Sequence, residues 1–255
     1  MLAVVAGAGG GIGRACARAL AVEHDVVLCV DRDEQAAAAT AASLNGGTDA
    51  RSGRPGDEVR AVAFVADAEN PEFGASVARR AAEFGSVRSA VYAIAHEEHV
   101  PAGQLSRASM MRSLTVGPVA AFEFFRALPP AAGASYVTIG SLHASEPFQN
   151  CLGYNAAHGA LAQVVRTLAH EWAERRIRVN AVVPGWIATP GEEAFYGADT
   201  LAKAAAGLPF GALGRPEQVA DAVAFLASDA AAYISGSFLT VDGGLSVSLA
   251  RLPGI

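Results

Sequence analysis

The chain predicts an α/β fold: a doubly wound parallel sheet of about seven strands with helices on both faces. Two observations carry that prediction. Short runs rich in β-branched residues alternate along the sequence with alanine-rich runs of helical length. Most of the short runs are also apolar throughout instead of alternating, as strands covered on both faces require.

The predicted strands fall at 2–6, 25–30, 60–65, 89–95, 135–139, 178–183 and 238–241. Between them lie helical segments at 12–22, 33–44, 71–84, 109–128, 151–175 and 216–228. Each strand-helix-strand unit implies a right-handed crossover, so the units together predict a Rossmann-like sheet. Two stretches break the rhythm. Residues 45–58 are glycine-rich, charged and aperiodic, and are expected to form an exposed loop, a tolerated surface insertion. Residues 184–209 follow the sixth strand and carry proline, glycine and aromatics. In a fold whose sites lie beyond the carboxyl ends of the strands, a substrate lid belongs there. Residues 246–255 carry no readable signal.

At 255 residues the chain suffices for one large domain spanning 1–255 with a well-buried core. Apolar residues make up 52% and charged residues 17%, a surplus that suits a thick two-sided sheet, a buried oligomer interface, or both. The net charge of -6 and pI near 5.5 argue against nucleic acid, which needs a basic footprint. Cys16, Cys29 and Cys151 are far apart and follow no metal or disulfide spacing, which suits a reducing cytoplasm. There is no signal peptide pattern and no apolar run fit to span a bilayer, so neither membrane nor secretion is expected.

The run Gly7-Ala8-Gly9-Gly10-Gly11-Ile12-Gly13 follows the first strand and opens the first helix. Glycine lets the backbone approach a pyrophosphate, and the helix start offers free amides and a positive dipole end. Asp31 closes the second strand, where a carboxylate accepts both hydroxyls of an adenosine ribose and repels a 2′-phosphate. Two charges about 4 Å apart at an effective dielectric near 20 interact by roughly 4 kcal/mol. Although Arg32 adjoins it, Asp31 favours NAD over NADP. The alternative is that Asp31 caps the following helix. A glycine turn with an acid after strand two also fits S-adenosylmethionine-dependent methyltransferases, and only the second half of the chain separates the two.

Ser141 ends the fifth strand, Tyr154 lies near the start of the next helix, and His158 follows four residues on, along the same helix face. With the glycine turn, Asp67 after strand three, Ile139-Gly140-Ser141, Arg178-Val179-Asn180-Ala181-Val182-Val183-Pro184-Gly185 and Val241-Asp242-Gly243-Gly244, the chain resembles a single-domain short-chain dehydrogenase/reductase over nearly its whole length. That resemblance sets the methyltransferase reading aside.

By that resemblance Tyr154 is the general acid/base and Ser141 polarises the substrate oxygen. His158 takes the place of a lysine that holds the nicotinamide ribose and lowers the tyrosine pKa. Gly7, Gly11, Ile12, Gly13, Asp31, Arg32, Asp67 and Ala95 would hold the dinucleotide, with Pro184, Gly185, Ile187 and Thr189 on its nicotinamide side. Two further departures accompany His158: Leu114 stands where the helix asparagine belongs, unless the register brings Ser113 or Thr115 there, and Ala93-Ile94-Ala95-His96 replaces Asn-Asn-Ala-Gly.

His143 and Trp186 are candidate substrate contacts. Phe195 and Tyr196, with Trp186, either enclose an apolar or cyclic substrate or pack the lid down. Phe122, Phe124 and Phe125 read as core or subunit contact. His24 and His170 read as helix-surface residues. His96, Glu97, Glu98 and His99 show no third metal ligand, so no metal is expected. Two functions remain. One is an NAD-linked enzyme moving hydride between nicotinamide and a secondary alcohol or ketone. The other is a dinucleotide-binding partner subunit or sensor that has lost catalysis.

Overall fold

The structure, a computed structural model, describes residues 1–46 and 60–248. The expected loop at 45–58 therefore lies, but for its first two residues, outside the described residues. The first half runs β1 (Leu2–Ala6), α1 (Gly11–Ala21), β2 (Val26–Asp31), α2 (Glu34–Asn45), β3 (Arg60–Val65), α3 (Phe73–Ala82) and β4 (Val87–Tyr92). There follow α4 (Arg107–Leu114), a π-helical turn at Thr115–Val119, α5 (Ala120–Ala127), β5 (Pro130–Ile139), α6 (Leu152–Glu171) and β6 (Arg178–Pro184). The chain closes with α7 (Pro190–Tyr196), α8 (Ala198–Gly207), α9 (Pro216–Ala227), β7 (Phe238–Val241) and α10 (Leu245–Ser248).

The sheet has seven strands, all parallel, in the order β3-β2-β1-β4-β5-β6-β7. Strand alternation splits the core in two. Val4, Leu28, Ala90, Tyr136 and Val179 face α3, α5 and α6. Val5, Cys29, Val91, Val137 and Val182 face α1 and α9. Both faces are covered, which explains why the strands read as continuous apolar runs. The first face is aromatic: Tyr92 lies 5.7 Å from Phe124, and Phe125 stacks on Tyr136 at 5.3 Å. Phe124 and Phe125 are thus core, while Phe122 is exposed. Chain direction across the sheet reverses between β1 and β4, and a crevice opens at the carboxyl ends there.

Several expectations are corrected. The helix expected at 109–128 is broken at Thr115–Val119, because Pro118 has no N–H to donate and its ring crowds the preceding turn. The Val116 carbonyl in that turn accepts the Tyr92 hydroxyl. Strand four ends at Tyr92, so residues 93–95 leave the ladder at the switch point. The expected lid contains two helices, and the first has a signal in the sequence: the Thr189 hydroxyl caps it and Pro190 occupies its first turn.

His24 is buried, not on a helix surface. α1 has ended by then, and the imidazole bridges Leu20 O at 2.8 Å and Ser89 Oγ at 3.0 Å. His170 is exposed. No helix of the described residues is long and apolar enough to cross a membrane.

Candidate active site

The crevice is built first from glycine. Gly7 has φ +84°, and a Cβ there would lie 2.6 Å from the Ala93 carbonyl oxygen. At Gly13 a Cβ would lie 2.0 Å from Gly7 O, so the first turn of α1 closes directly onto the loop that precedes it. Gly10, at the N-cap of α1, supplies no side-chain cap, which leaves the leading amides of the helix for an anion. Ile12 packs against the second core.

Asp31 anchors this turn. Its Oδ2 accepts from Gly9 N–H at 2.9 Å and its Oδ1 from Asp33 N–H at 3.0 Å. The helix-capping alternative belongs to Asp33, which accepts from Ala36 N–H at 3.0 Å. Beyond the turn lies a cavity of about 220 Å³, lined by Gly7, Asp31, Arg32, Asp67, Ala95 and His96 among others. A cradle without Cβ atoms, free helix amides and a carboxylate at the cavity wall fit the adenosine half of a dinucleotide. Sequence reasoning missed Glu69 and Arg112 on the cavity wall; they pair at 2.6 Å across 43 positions of chain, with no local signal.

At the end of β5, Ser141 is hydrogen-bonded to Tyr154 and accepts from His143 N–H at 3.2 Å. Tyr154 lies in the first turn of α6. Burial drives its phenol well above the usual tyrosine range and the Glu97 carboxylate pushes it further, while the Ser141 hydrogen bond pulls the other way. The His158 ring sits 4.2 Å from the Tyr154 ring. It is 5% exposed, its Nδ1 has no partner among the described residues, and burial lowers its pKa to about 4. His158 is therefore neutral near pH 7. It lines a second cavity of about 10 Å³ together with Ser141, Thr138 and Leu161.

His143 is held in place. It stacks on Phe148 at 4.0 Å, meets Tyr154 edge-on at 4.8 Å, and its Nδ1 lies 2.7 Å from Asn155 Oδ1. Asn155 was not anticipated; its amide also donates to Phe148 O at 2.9 Å, which fixes the side chain. Leu114 ends α4, and its polar neighbour Ser113 is buried with its hydroxyl 3.4 Å from the His96 carbonyl.

On the opposite wall Pro184 ends β6. Gly185 lies so close to β7's end that a Cβ would fall 2.7 Å from Asp242 Cα. Trp186 Nε1 donates to Glu192 Oε2 at 2.6 Å. Ile187 is buried in the second core, and Thr189 caps α7 while resting against Gly11. Phe195 and Tyr196 of α7 pack on each other at 4.7 Å and on His99 at 4.9 and 6.1 Å.

The loop after β4 also gains a third possible ligand unseen in the sequence. One ligand atom each from Glu97, His99 and Cys151 lies within 4.8 Å of the others. Burial and Glu97 both raise the Cys151 thiol pKa, which opposes the thiolate that metal binding needs.

Sheet, glycine cradle and serine–tyrosine pair define an oxidoreductase class built on a dinucleotide-binding fold. The chain belongs to the short-chain dehydrogenase/reductases: a family model described as Enoyl-(Acyl carrier protein) reductase matches residues 7–246. It is 37% identical over 249 residues to cis-4-hydroxycyclohexanecarboxylate dehydrogenase of Sinomonas cyclohexanicum, covering 95% of each chain. It is 33% identical over 253 residues to D-threitol dehydrogenase of Mycolicibacterium smegmatis, covering 96% of this chain and 93% of that one. A crystal structure from Beutenbergia cavernae, provisionally described as an NAD(P)-dependent gluconate 5-dehydrogenase with NADP bound at low occupancy, superimposes with a TM-score of 0.82. That chain is 35% identical, with 97% of each chain covered.

Proposed function

We propose that this chain transfers hydride between NAD(H) and a secondary alcohol or its ketone. Tyr154 is the general acid/base, Ser141 the polarising hydroxyl, and His158 a neutral contact in place of lysine. The observation that carries the reading is the Ser141–Tyr154 hydroxyl pair at the open end of β5, beside a cradle fit for a dinucleotide. Dehydrogenase activity in the relatives, on hydroxycyclohexanecarboxylate and on D-threitol, supports an alcohol as substrate.

NAD, when bound, supplies the hydride acceptor. The protein's own part is proton management and positioning. Ser141 and the neutral Tyr154 each donate toward the substrate oxygen, while the Ser141 oxygen accepts from the His143 amide. The phenol of Tyr154 holds its proton near neutral pH, since burial and Glu97 both favour the neutral form. It is thus a ready acid for ketone reduction and a weak base for alcohol oxidation. The Nδ1 of His158 is buried without a partner among the described residues, and a turn of the ring toward the crevice would let it hydrogen-bond a ribose hydroxyl. Asp31 at the cavity wall supports NAD over NADP. His143 and Trp186 lie where a substrate is held, under a lid at 184–209. A single domain in the cytoplasm, paired into dimers or tetramers through faces carrying exposed Phe122, completes the reading.

Purified protein with NAD(H) and a panel of ketones and secondary alcohols should change absorbance in the reduced-nicotinamide band, and Tyr154→Phe should abolish the change. Full activity in Tyr154→Phe overturns the assignment. One observation favours a second reading: the residue in the lysine's place is neutral, so no cation sits beside the phenol. Saturable NAD binding without turnover at any pH would select a partner subunit or sensor.

A further inference from the structure

We infer that the substrate side of this cleft recognises a positively charged alcohol or ketone, an amine whose ammonium lies among the carboxylates of Glu97 and Glu192 and the rings of Trp186, Phe195 and Tyr196. The inference rests on the proposed function and names its substrate class.

The local charge is one-sided. The carboxylates acting on Tyr154 are Glu97 and Glu192, and the same two act on Tyr196. No arginine or lysine of the described residues acts on either phenol. Each carboxylate is held by one oxygen only. Glu192 Oε2 accepts from Trp186 Nε1 at 2.6 Å, and Glu97 Oε1 lies 2.6 Å from His99 Nε2. The second oxygen of each makes no hydrogen bond among the described residues. Two oriented acceptors therefore remain near the acid/base, and of the partners holding them only the His99 imidazole, on Glu97, can carry a positive charge, and only when protonated.

The aromatic side chains complete the recognition chemistry. Trp186 meets Tyr196 at 5.6 Å, Tyr196 meets Phe195 at 4.7 Å, and Phe195 is 62% exposed despite these contacts. Ring faces beside carboxylates are what an ammonium seeks, through cation–π attraction and charge-assisted hydrogen bonds. A carboxylate-bearing substrate meets repulsion from both glutamates. A neutral polyol gains hydrogen bonds but leaves both charges uncompensated on closure. The ammonium is a spectator: the bonds that change are the carbinol C–H and O–H.

The test measures kcat/KM for three matched substrates: an amino alcohol, its neutral alkyl isostere and its carboxylate analogue. The ammonium form should lead the neutral one by about tenfold and the carboxylate by about a hundredfold. Glu97→Gln and Glu192→Gln should each erode that ratio, mainly through KM, and the double variant should remove it. A ratio cancels any change in Tyr154 acidity, which touches all three substrates alike.

Equal or better turnover of the neutral or anionic analogue overturns the inference, as does a preference that survives the double variant. A preference lost on chelation and restored by zinc also overturns it, since a metal on Glu97, His99 and Cys151 would then be the site. Ethylammonium quenching of Trp186 fluorescence, read against a Trp172→Phe background, needs no turnover. Saturable quenching lost in the double variant while every substrate fails leaves the ammonium site standing and overturns the proposed function alone. No saturable quenching sinks it.

Discussion

His158→Lys puts a permanent cation one helical turn from Tyr154. The two rings now lie 4.2 Å apart, so an ammonium can come within roughly 4–5 Å of the phenol. At an effective dielectric near 20, that is worth about 3–4 kcal/mol, or about 2–3 units of tyrosine pKa. Position 158 is buried, and desolvation of the new ammonium consumes part of the gain, so the lower figure is expected. A drop of about 2 units raises the phenolate fraction at neutral pH about a hundredfold. The acid limb of the pH profile for alcohol oxidation should move down by the same amount. The assay is initial-rate kcat against pH for both proteins, with NAD affinity and circular dichroism as controls. If a folded, NAD-binding variant shows an unmoved limb, the electrostatic account of the missing lysine is wrong. If turnover falls instead, the histidine itself takes part in proton transfer.

Two further outcomes follow from the same geometry. Asp31→Ala removes the acceptor for the Gly9 and Asp33 amides and the charge at the cavity wall; NAD affinity should fall about tenfold or more, while the ratio of NADP to NAD affinity rises by at least a similar factor. Fluorescence titration with both dinucleotides reads this, and an unchanged ratio refutes the specificity role. Acid should weaken the fold through His158. Its folded pKa of about 4 lies below the unfolded value of about 6.5, so stability present above about pH 6.5 is lost as pH falls toward 4, by up to about 3 kcal/mol. Buried His24 is shifted in the same direction by desolvation. The urea midpoint should track this window, and His158→Leu should flatten its slope; a wild-type midpoint flat across the window contradicts the burial argument.

What the sequence reveals of this fold is what repeats locally. Val4-Val5 and Val27-Leu28-Cys29-Val30 announce two-sided burial because both neighbours of each strand are buried, on opposite faces. The glycine turn and Asp31 are legible because their chemistry is set within one strand-turn-helix unit. His24 is not: its burial depends on Ser89, 65 positions away, which only the pairing of β1 and β4 brings near. The break at Thr115–Val119 had a sign in Pro118, but the apolar periodicity runs through it unbroken. Ser141 and Tyr154 are singled out by the family resemblance, and the strand end and helix start that carry them are each locally marked. Glu97, Asn155 and Glu192 escaped because their effects are made in space: Glu97 acts on Tyr154 through its charge, while Asn155 and Glu192 hydrogen-bond His143 and Trp186.

Thr189 gives the cleft a mechanical property. Its methyl group would stand 2.9 Å from a Cβ at Gly11, so the foot of α7 rests directly on the first residue of α1, at the glycine cradle. A nucleotide seated there as proposed would press on the base of α7, and through it on the aromatic wall above. With a dinucleotide in the crevice as proposed, such a contact would favour an order of events, nucleotide entering first and departing last, with the smaller reactant exchanged in between.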